Sequence, residues 1–401
     1  MARDGAADDG PGESLCRRDD DSVWPGDGVA GAQTIVDKFH KRYPGSAAPR
    51  VWRAPGRVNL IGEHTDYNLG LVLPMAIDKA CWVAIAPSGD GWLRVYSEQL
   101  NAGSQWRVED IPNASPIGDW TDRVIGVAGE LSRRGVEIAG ANVLVDSEVP
   151  VGGGLSSSAA LGVSLALALG GAREPLELAK LARAAEMDFV GVPCGIMDQF
   201  ISAAGQEGSA VLLDCRSLEW RAVKLPADVA VVTANSMVKH QLGDSAYRTR
   251  VEECAEAARR LGVRSLRDAT VEGLGVLEGV LLKRARHVVT ENARVERFVG
   301  AASDPVEMGR IVTESHGSLR DDYEVSCAEL DFLVEAALGV GGVFGARMIG
   351  GGFGGSTVNL VRAEAVEELE ATLAAKYREY YGLTPEIHVC IAASGASEVI
   401  L

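Results

Sequence analysis

The sequence predicts an α+β fold of two lobes with its site in the cleft, and three observations lead there. Strand-like and helix-like periods mix in both halves of the chain. A glycine loop sits between a strand-like segment and a helix start near residue 150, and a second joins two strand-like segments near residue 350. Residues 1–28, rich in Asp and Gly, read as a loosely attached or disordered tail without a signal-peptide hydrophobic region. The first lobe is placed at 29–225. Its strands are expected at 82–86, 93–96, 143–146 and 211–213, and its helices at about 121–134, 157–169 and 175–189, the last opened by Glu174-Pro175. The second lobe is placed at 226–401. Strand 229–233 leads to a helix from Asp244 to Leu261 that Gly262 stops, and further helices follow at about 283–300, 305–316 and 327–337. The chain closes as strand, glycine loop, strand 357–361, helix 363–381 and strand 386–391.

Composition sets limits. With 401 residues, 47% of them hydrophobic, the chain can bury a sizeable core. A net charge of −17 argues against nucleic acid or an anionic membrane as partner, so any phosphate has to be met locally. The seven cysteines are scattered and form no C-x-x-C, which suits reduced thiols in a cytosol, and the six histidines make no H-E-x-x-H pattern. No apolar run is long enough to span a bilayer.

The most informative dozen is residues 56–67, Gly-Arg-Val-Asn-Leu-Ile-Gly-Glu-His-Thr-Asp-Tyr. Arg57 offers several donors to phosphate or carboxylate oxygens, and Glu63, His64 and Asp66 present convergent donors and acceptors of the kind that hold sugar hydroxyls. Alone, such a run would be a solvated turn. In residues 150–160, Pro-Val-Gly-Gly-Gly-Leu-Ser-Ser-Ser-Ala-Ala, the glycines admit an anion close to the backbone and the helix start aims positive potential at it. The three serines add hydroxyls for phosphate oxygens or a hard metal ion. The loop has no Lys after its last glycine, so it is not a Walker A loop, and no G-x-G-x-x-G is present there. Residues 348–356, Met-Ile-Gly-Gly-Gly-Phe-Gly-Gly-Ser, are either a loose hairpin or a second backbone wall against a ligand.

Taken together and in this order, the run 56–67, the loop 152–158, Cys194-Gly-Ile-Met-Asp-Gln199 and the loop 350–355 resemble galactokinases of the GHMP kinase family. Segments 213–219, 235–240, 284–291 and 314–326 also resemble family segments, so the resemblance runs from about residue 35 to the C-terminus. It implies a ribosomal S5 domain 2-like N-terminal lobe, a ferredoxin-like C-terminal lobe, and ATP-dependent phosphorylation of α-D-galactose at its anomeric hydroxyl. The partners implied are the small molecules galactose and ATP, with Mg²⁺ as metal. A monomer is compatible with all of this.

The same resemblance implies roles residue by residue. Asp198 takes or orients the proton of the anomeric hydroxyl, and Arg57 stabilises charge on the transferred phosphoryl group. Glu63, His64, Thr65 and Asp66 fall on sugar-binding positions, with Gly195 and Tyr247 completing the pocket. The nucleotide falls to Gly152, Gly153, Gly154, Leu155, Ser156, Ser157 and Ser158, with Ser97 as a further contact. Mg²⁺ falls to Ser158 and Glu186, the latter at the edge of an apolar helix stripe.

Several positions depart from the family pattern. Asp122-Arg123 follow Trp120 where Asn-Tyr is common, which leaves two options: stacking of the Arg123 guanidinium on a purine, or a different seat for the adenine. Leu69 and Val251 stand where a polar residue and an arginine are frequent, and Ser356 where cysteine is common. Two other readings compete: a kinase of the same fold for another sugar, and a non-catalytic galactose sensor. The Glu-His-Thr-Asp run with Tyr247 favours plain galactose, and the intact Ser156-Ser-Ser-Ala159 disfavours the sensor.

Overall fold

The computed structural model describes residues 28–171, 174–239 and 243–401. The tail expected over 1–28 therefore lies outside the described residues except for Gly28, as do His240, Gln241 and Leu242. A six-stranded sheet has the order Ser397–Val399, Arg50–Asn59, Pro74–Pro87, Ala141–Ser147, Trp92–Ser97, Ala102–Arg107. Its one parallel pairing joins Trp92–Ser97 to Ala141–Ser147. An antiparallel four-stranded sheet has the order Val343–Met348, Gly354–Arg362, Val229–Lys239, Glu386–Cys390. Leu71–Val72, Ser209–Asp214 and Trp220–Lys224 form a third, small sheet.

Local sequence explains the elements that carry the site. Helix Ser157–Gly170 is built from small and apolar residues and stops at Gly171, whose φ of +75° a side chain would resist. Helix Pro305–Asp321 starts where the Asp304 carboxylate accepts the N–H groups of Val306 and Glu307, with Pro305 at the first helical position. Strand Trp92–Ser97 alternates half-buried and buried residues, as a sheet with one face on the core must.

The main core lies between the six-stranded sheet and helices Asp122–Arg133, Ser157–Gly170, Pro175–Ala184 and Met197–Ala204, and continues through Val231, Val358 and Leu360 into the four-stranded sheet. A second cluster fills the space between that sheet and helices Ala328–Leu338 and Val366–Tyr381. The two lobes thus share one apolar interior, which holds the cleft walls in fixed relation.

The structure also adds elements. Helix Gly28–Arg42 lays Ala32, Ile35 and Phe39 on Trp82 and Ala84 of the six-stranded sheet, and each fully buried large side chain there is worth about 1.5–3 kcal/mol. The segment expected as one helix over 175–189 is α-helical only over Pro175–Ala184 and then widens to a π-helical turn over Ala185–Val190, ending at Gly191 in the left-handed region. Strand Pro74–Pro87 is longer than the expected 82–86, because its N-terminal half pairs with Arg57, Val58 and Asn59 beyond a bulge near Gly56. Helix Met197–Ala204 and the strands Ala102–Arg107, Trp220–Lys224 and Ser397–Val399 have no counterpart among the elements expected from the sequence.

Candidate active site

Strand Arg50–Asn59 delivers Arg57, and the following turn delivers Glu63, His64 and Asp66 to one cavity of about 460 Å³. His64 holds a left-handed φ of +62°, a strained setting for a non-glycine residue. The turn is locked from behind: the Asn68 side-chain amide donates to the His64 carbonyl at 2.9 Å, and Gly62 N donates to the buried Glu291 carboxylate at 2.9 Å. Burial opposes ionisation of Glu291, but the adjacent Arg294 guanidinium holds its pKa at about 2.

The opposite wall is the first glycine loop, of which Gly152, Gly154 and Ser158 face the cavity. Ser156 adopts left-handed φ and ψ to turn the chain into helix Ser157–Gly170, whose first backbone bond runs from Ala160 N to Ser156 O. The amides ahead of that bond have no intrahelical acceptor and suit an anion. Leu155 is buried and its carbonyl accepts from Arg57 N at 3.0 Å, while the Gly153 carbonyl accepts from the Ser356 hydroxyl at 2.5 Å. The second glycine loop, residues 349–355, forms a third wall, and Gly350 N donates to Glu63 Oε1 at 2.9 Å. It is a backbone wall, as one of the two sequence readings had it.

Where the walls meet, Arg57 forks onto Asp198: Nε to Oδ1 at 2.8 Å and Nη2 to Oδ2 at 2.7 Å. The Ser156 hydroxyl also donates to Asp198 Oδ2, and Arg57 Nη1 donates to the Gly154 carbonyl at 2.5 Å. Arg57 is buried, whereas the Asp198 side chain keeps 31% of its surface open to the cavity. Gly195 has to be glycine because the Asp66 carboxyl occupies its side-chain space: an added Cβ would lie 1.7 Å from Asp66 Oδ2. The Tyr247 ring stands 5.5 Å from the His64 ring and lines the same cavity.

Comparison with known proteins agrees with this geometry. A galactokinase galactose-binding signature matches residues 37–87, and models of the GHMP kinase N-terminal and C-terminal domains match residues 122–206 and 298–379. The galactokinase of Chloroflexus aggregans is 46% identical over 379 residues, covering 91% of this chain and 97% of that protein. That of Thermotoga neapolitana is 42% identical over 354 residues, covering 86% and 99%. The chain belongs to the galactokinase family. The crystal structure of Lactococcus lactis galactokinase complexed with galactose superposes with a TM-score of 0.87 at 32% identity, covering 92% of this chain and 100% of that one. The mevalonate kinase of Methanococcus jannaschii, at 18% identity and a TM-score of 0.66, shares the fold. The architecture is the two-lobed GHMP kinase fold.

Six residues expected at the ligand are not among those lining the cavity: Gly153, Leu155, Ser156 and Ser157, which build the first glycine loop from behind, and Thr65 and Ser97. The Thr65 side chain is fully buried and its hydroxyl lies between the carbonyls of Gly62 at 2.8 Å and Leu71 at 2.7 Å, so it ties the turn together. Ser97 ends its strand with its oxygen accepting from Leu100 N at 3.4 Å, away from the cavity. At the departure from the family pattern, the Asp122 carboxylate accepts Ile117 N and Gly118 N at 2.8 and 2.7 Å, a structural use. Arg123 Nη2 reaches Glu186 Oε1 at 2.8 Å within the cavity, an in-plane bond that does not use the faces of its guanidinium, so both options for the adenine stay open. Glu186 sits on the π-helical turn, a geometry that recurs at functional sites because the extra residue re-aims a side chain.

Sequence reasoning passed over Arg347, which is fully buried and spans from the second glycine loop to the Glu63 turn. It also passed over His287, whose Nε2 reaches the Glu63 carbonyl at 3.1 Å. Arg347 flanks the second glycine loop and His287 lies in segment 284–291, but only their three-dimensional neighbours mark what they do.

Asp66 is the titratable group whose setting makes a pH effect visible. Burial first, and then the neighbouring Asp198 carboxylate, push its pKa up to about 7. A folded value above the ordinary 3.8 favours the folded state at low pH, and that contribution is lost as pH rises through about 7. Asp66→Asn, which carries no charge to bury, is expected to gain thermal stability over the parent at about pH 8 and to lose that advantage at about pH 5. A melting-temperature difference that does not change with pH would show that Asp66 does not titrate in this window.

Proposed function

We propose that the chain transfers the γ-phosphoryl group of ATP to the anomeric hydroxyl of α-D-galactose, giving α-D-galactose 1-phosphate and ADP. The observation that carries this reading is the Asp198–Arg57 fork at the junction of a carboxylate and imidazole pocket with a glycine-loop anion cradle, all in one cavity. Glu63, His64, Asp66, the Gly195 backbone and Tyr247 hold the sugar. The loop 152–158 and the helix start behind it take the phosphates.

The sugar's anomeric oxygen attacks the γ-phosphorus in line as the bond to the β-phosphate bridging oxygen breaks. The proton of that hydroxyl passes to an Asp198 carboxylate oxygen, or is oriented by it until transfer is complete, and ADP leaves. Arg57 already places Nε and one hydrogen from each terminal nitrogen on Asp198 and Gly154. One hydrogen on each terminal nitrogen remains for phosphoryl oxygens.

Among the described residues no three His, Cys, Asp or Glu side chains gather as a ready-made metal cage. Mg²⁺ asks for less, since it keeps waters and phosphate oxygens as ligands, and the Ser158 hydroxyl and Glu186 carboxylate are hard oxygen donors lining the cavity. When bound there it would neutralise charge on the phosphates. Arg123 competes for the same carboxylate. Glu186→Ala is therefore expected to raise the Mg²⁺ requirement about tenfold, and Arg123→Gln to lower it. Unchanged metal dependence in Glu186→Ala removes that residue from the ligand set.

The described cysteines stay unpaired, which supports a reducing cytosol. The deciding experiment is a coupled ADP-release assay with ATP and Mg²⁺ against galactose, glucose, N-acetylgalactosamine, arabinose and galacturonate. Turnover led by galactose is expected. Turnover led by another sugar would keep the chemistry and move the specificity, and galactose binding without any turnover would make the chain a sensor.

A further inference from the structure

We propose that a buried relay of hydroxyl and thiol groups, running from Cys254 through Tyr323 and Tyr67, fixes His64 in the tautomer that carries its proton on Nε2. His64 is thereby a hydrogen-bond donor to a ligand oxygen, and Tyr67 is a positioning residue that sets this polarity. The inference rests on the sugar-kinase reading for the identity of the ligand, but not for the state of the imidazole.

The chain of contacts is continuous. Tyr67 Oη lies 2.8 Å from His64 Nδ1 and 2.7 Å from Tyr323 Oη, which in turn lies 3.0 Å from Cys254 Sγ. His64, Tyr323 and Cys254 are all nearly or fully buried. Each hydroxyl has one hydrogen, so choosing the direction of one link fixes every other. A phenol is the better donor and an imidazole nitrogen the better acceptor, so Tyr67 donates to His64 Nδ1. The Tyr67 oxygen must then accept from Tyr323, and the Tyr323 oxygen from the Cys254 thiol. A thiol is a weak partner in either direction, so the polarity is set at the imidazole end, where the phenol donates to Nδ1.

The far side of the ring completes the case. His64 lines the cavity, and its Nε2 is buried without a hydrogen-bond partner among the described residues. Burial, followed by the positive surroundings, holds its pKa well below the ordinary 6.5, so the ring is neutral and has one N–H to place. His287, whose ring is tilted against the same Tyr323 ring at 4.5 Å, shows the same economy with a different anchor. Its Nε2 faces the Glu63 carbonyl at 3.1 Å, which can only accept, so the Ser318 hydroxyl donates to its Nδ1 at 2.8 Å. One histidine thus holds the backbone of the turn, and the next directs its proton into the cavity.

The consequence is a specificity rule. Glu63 and Asp198 present acceptors in the cavity wall, and His64 Nε2–H supplies a donor beside them. A ligand group facing His64 must therefore offer a lone pair, as a hydroxyl or a fluorine does and an ammonium does not.

The test uses the full chain labelled with ¹⁵N-histidine, in which only six imidazoles need assignment. The unliganded protein should give His64 a pyridine-like Nδ1 and a pyrrole-like Nε2, assigned through His64→Gln, and galactose should shift the Nε2 signal. Tyr67→Phe should mix the tautomers and raise the galactose KM about 3- to 10-fold with the ATP KM unchanged. Tyr323→Phe leaves the Tyr67 hydrogen in place, so the tautomer should persist and the KM should rise less. A pyrrole-like Nδ1 in the parent protein, or no response of Nε2 to galactose, would overturn the proposal. So would a Tyr67→Phe spectrum identical to the parent's. The unliganded spectrum reports on the relay even if another sugar proves to be the substrate, so the two readings fail separately.

Discussion

Asp198→Asn is expected to lower turnover by about 10³-fold or more while galactose and ATP still bind, since a positioned acid–base group contributes roughly 10² to 10⁴. The geometry makes this residue irreplaceable in two ways. Its carboxylate is the oxygen pair on which the Arg57 fork closes, and it also accepts from the Ser156 hydroxyl. An asparagine keeps the shape but turns one of those oxygens into an N–H₂ group, setting donor against donor at Arg57 whichever oxygen is replaced. Both the proton acceptor and the placement of Arg57 toward the phosphoryl group are lost together. The cost in stability should be smaller than for a fully enclosed pair, about 1–3 kcal/mol, because Asp198 keeps part of its surface open to the cavity. Asp198→Ala separates the two effects, since it removes the acceptor without introducing a misplaced donor. Calorimetric binding of galactose to both variants, beside their melting curves, is the check. A variant that binds galactose and keeps more than about a tenth of the parent rate would show that Asp198 neither accepts nor orients the proton.

The parts of this site that were legible in the sequence are those built from contiguous residues. Residues 56–67, the two glycine loops and Cys194–Gln199 each carry their chemistry in a short run, and the structure brings all four to one cavity. Within those runs the sequence could not tell a side chain facing the ligand from one facing the backbone. Thr65 sits between two residues that line the cavity, Asp66 and His64, yet the tight turn aims its hydroxyl at Gly62 and Leu71. The relay behind His64 was out of reach for a different reason. Its members are separated by as many as 256 residues, and Tyr323 and Cys254 read as ordinary core until they are seen touching. The π-helical turn at Glu186 was missed because widening by one residue leaves the apolar period of Leu178, Leu181, Ala182 and Ala185 almost unchanged.

Arg347→Met should cost about 3–5 kcal/mol of stability, a fall in melting temperature on the order of 10 °C, and should weaken galactose binding at the same time. Arg347 has no exposed surface, and its guanidinium is spread over three backbone carbonyls: Leu60 at 3.0 Å, Asn59 at 2.5 Å and Met348 at 2.7 Å. The first two belong to the strand end and turn that present Glu63 and His64, and the third to the strand entering the second glycine loop. One cation thus ties two cavity walls from different sheets. Met fills a similar volume with no donor, so the carbonyls are left buried and unpaired. Glu63 loses the cation that contacts it at 3.3 Å and keeps the bond from Gly350 N and the more distant charge of Arg57. Arg347→Lys separates charge from geometry. An ammonium preserves the electrostatic partner of Glu63 but cannot fork across three carbonyls, so it should recover part of the galactose affinity and little of the melting temperature. If Arg347→Met melted with the parent protein, the carbonyls of Asn59 and Leu60 would have other donors and the two walls would be held by the shared apolar core alone. If it melted early but bound galactose with unchanged affinity, Glu63 would not depend on Arg347, and its placement would rest on Gly350 and the turn itself.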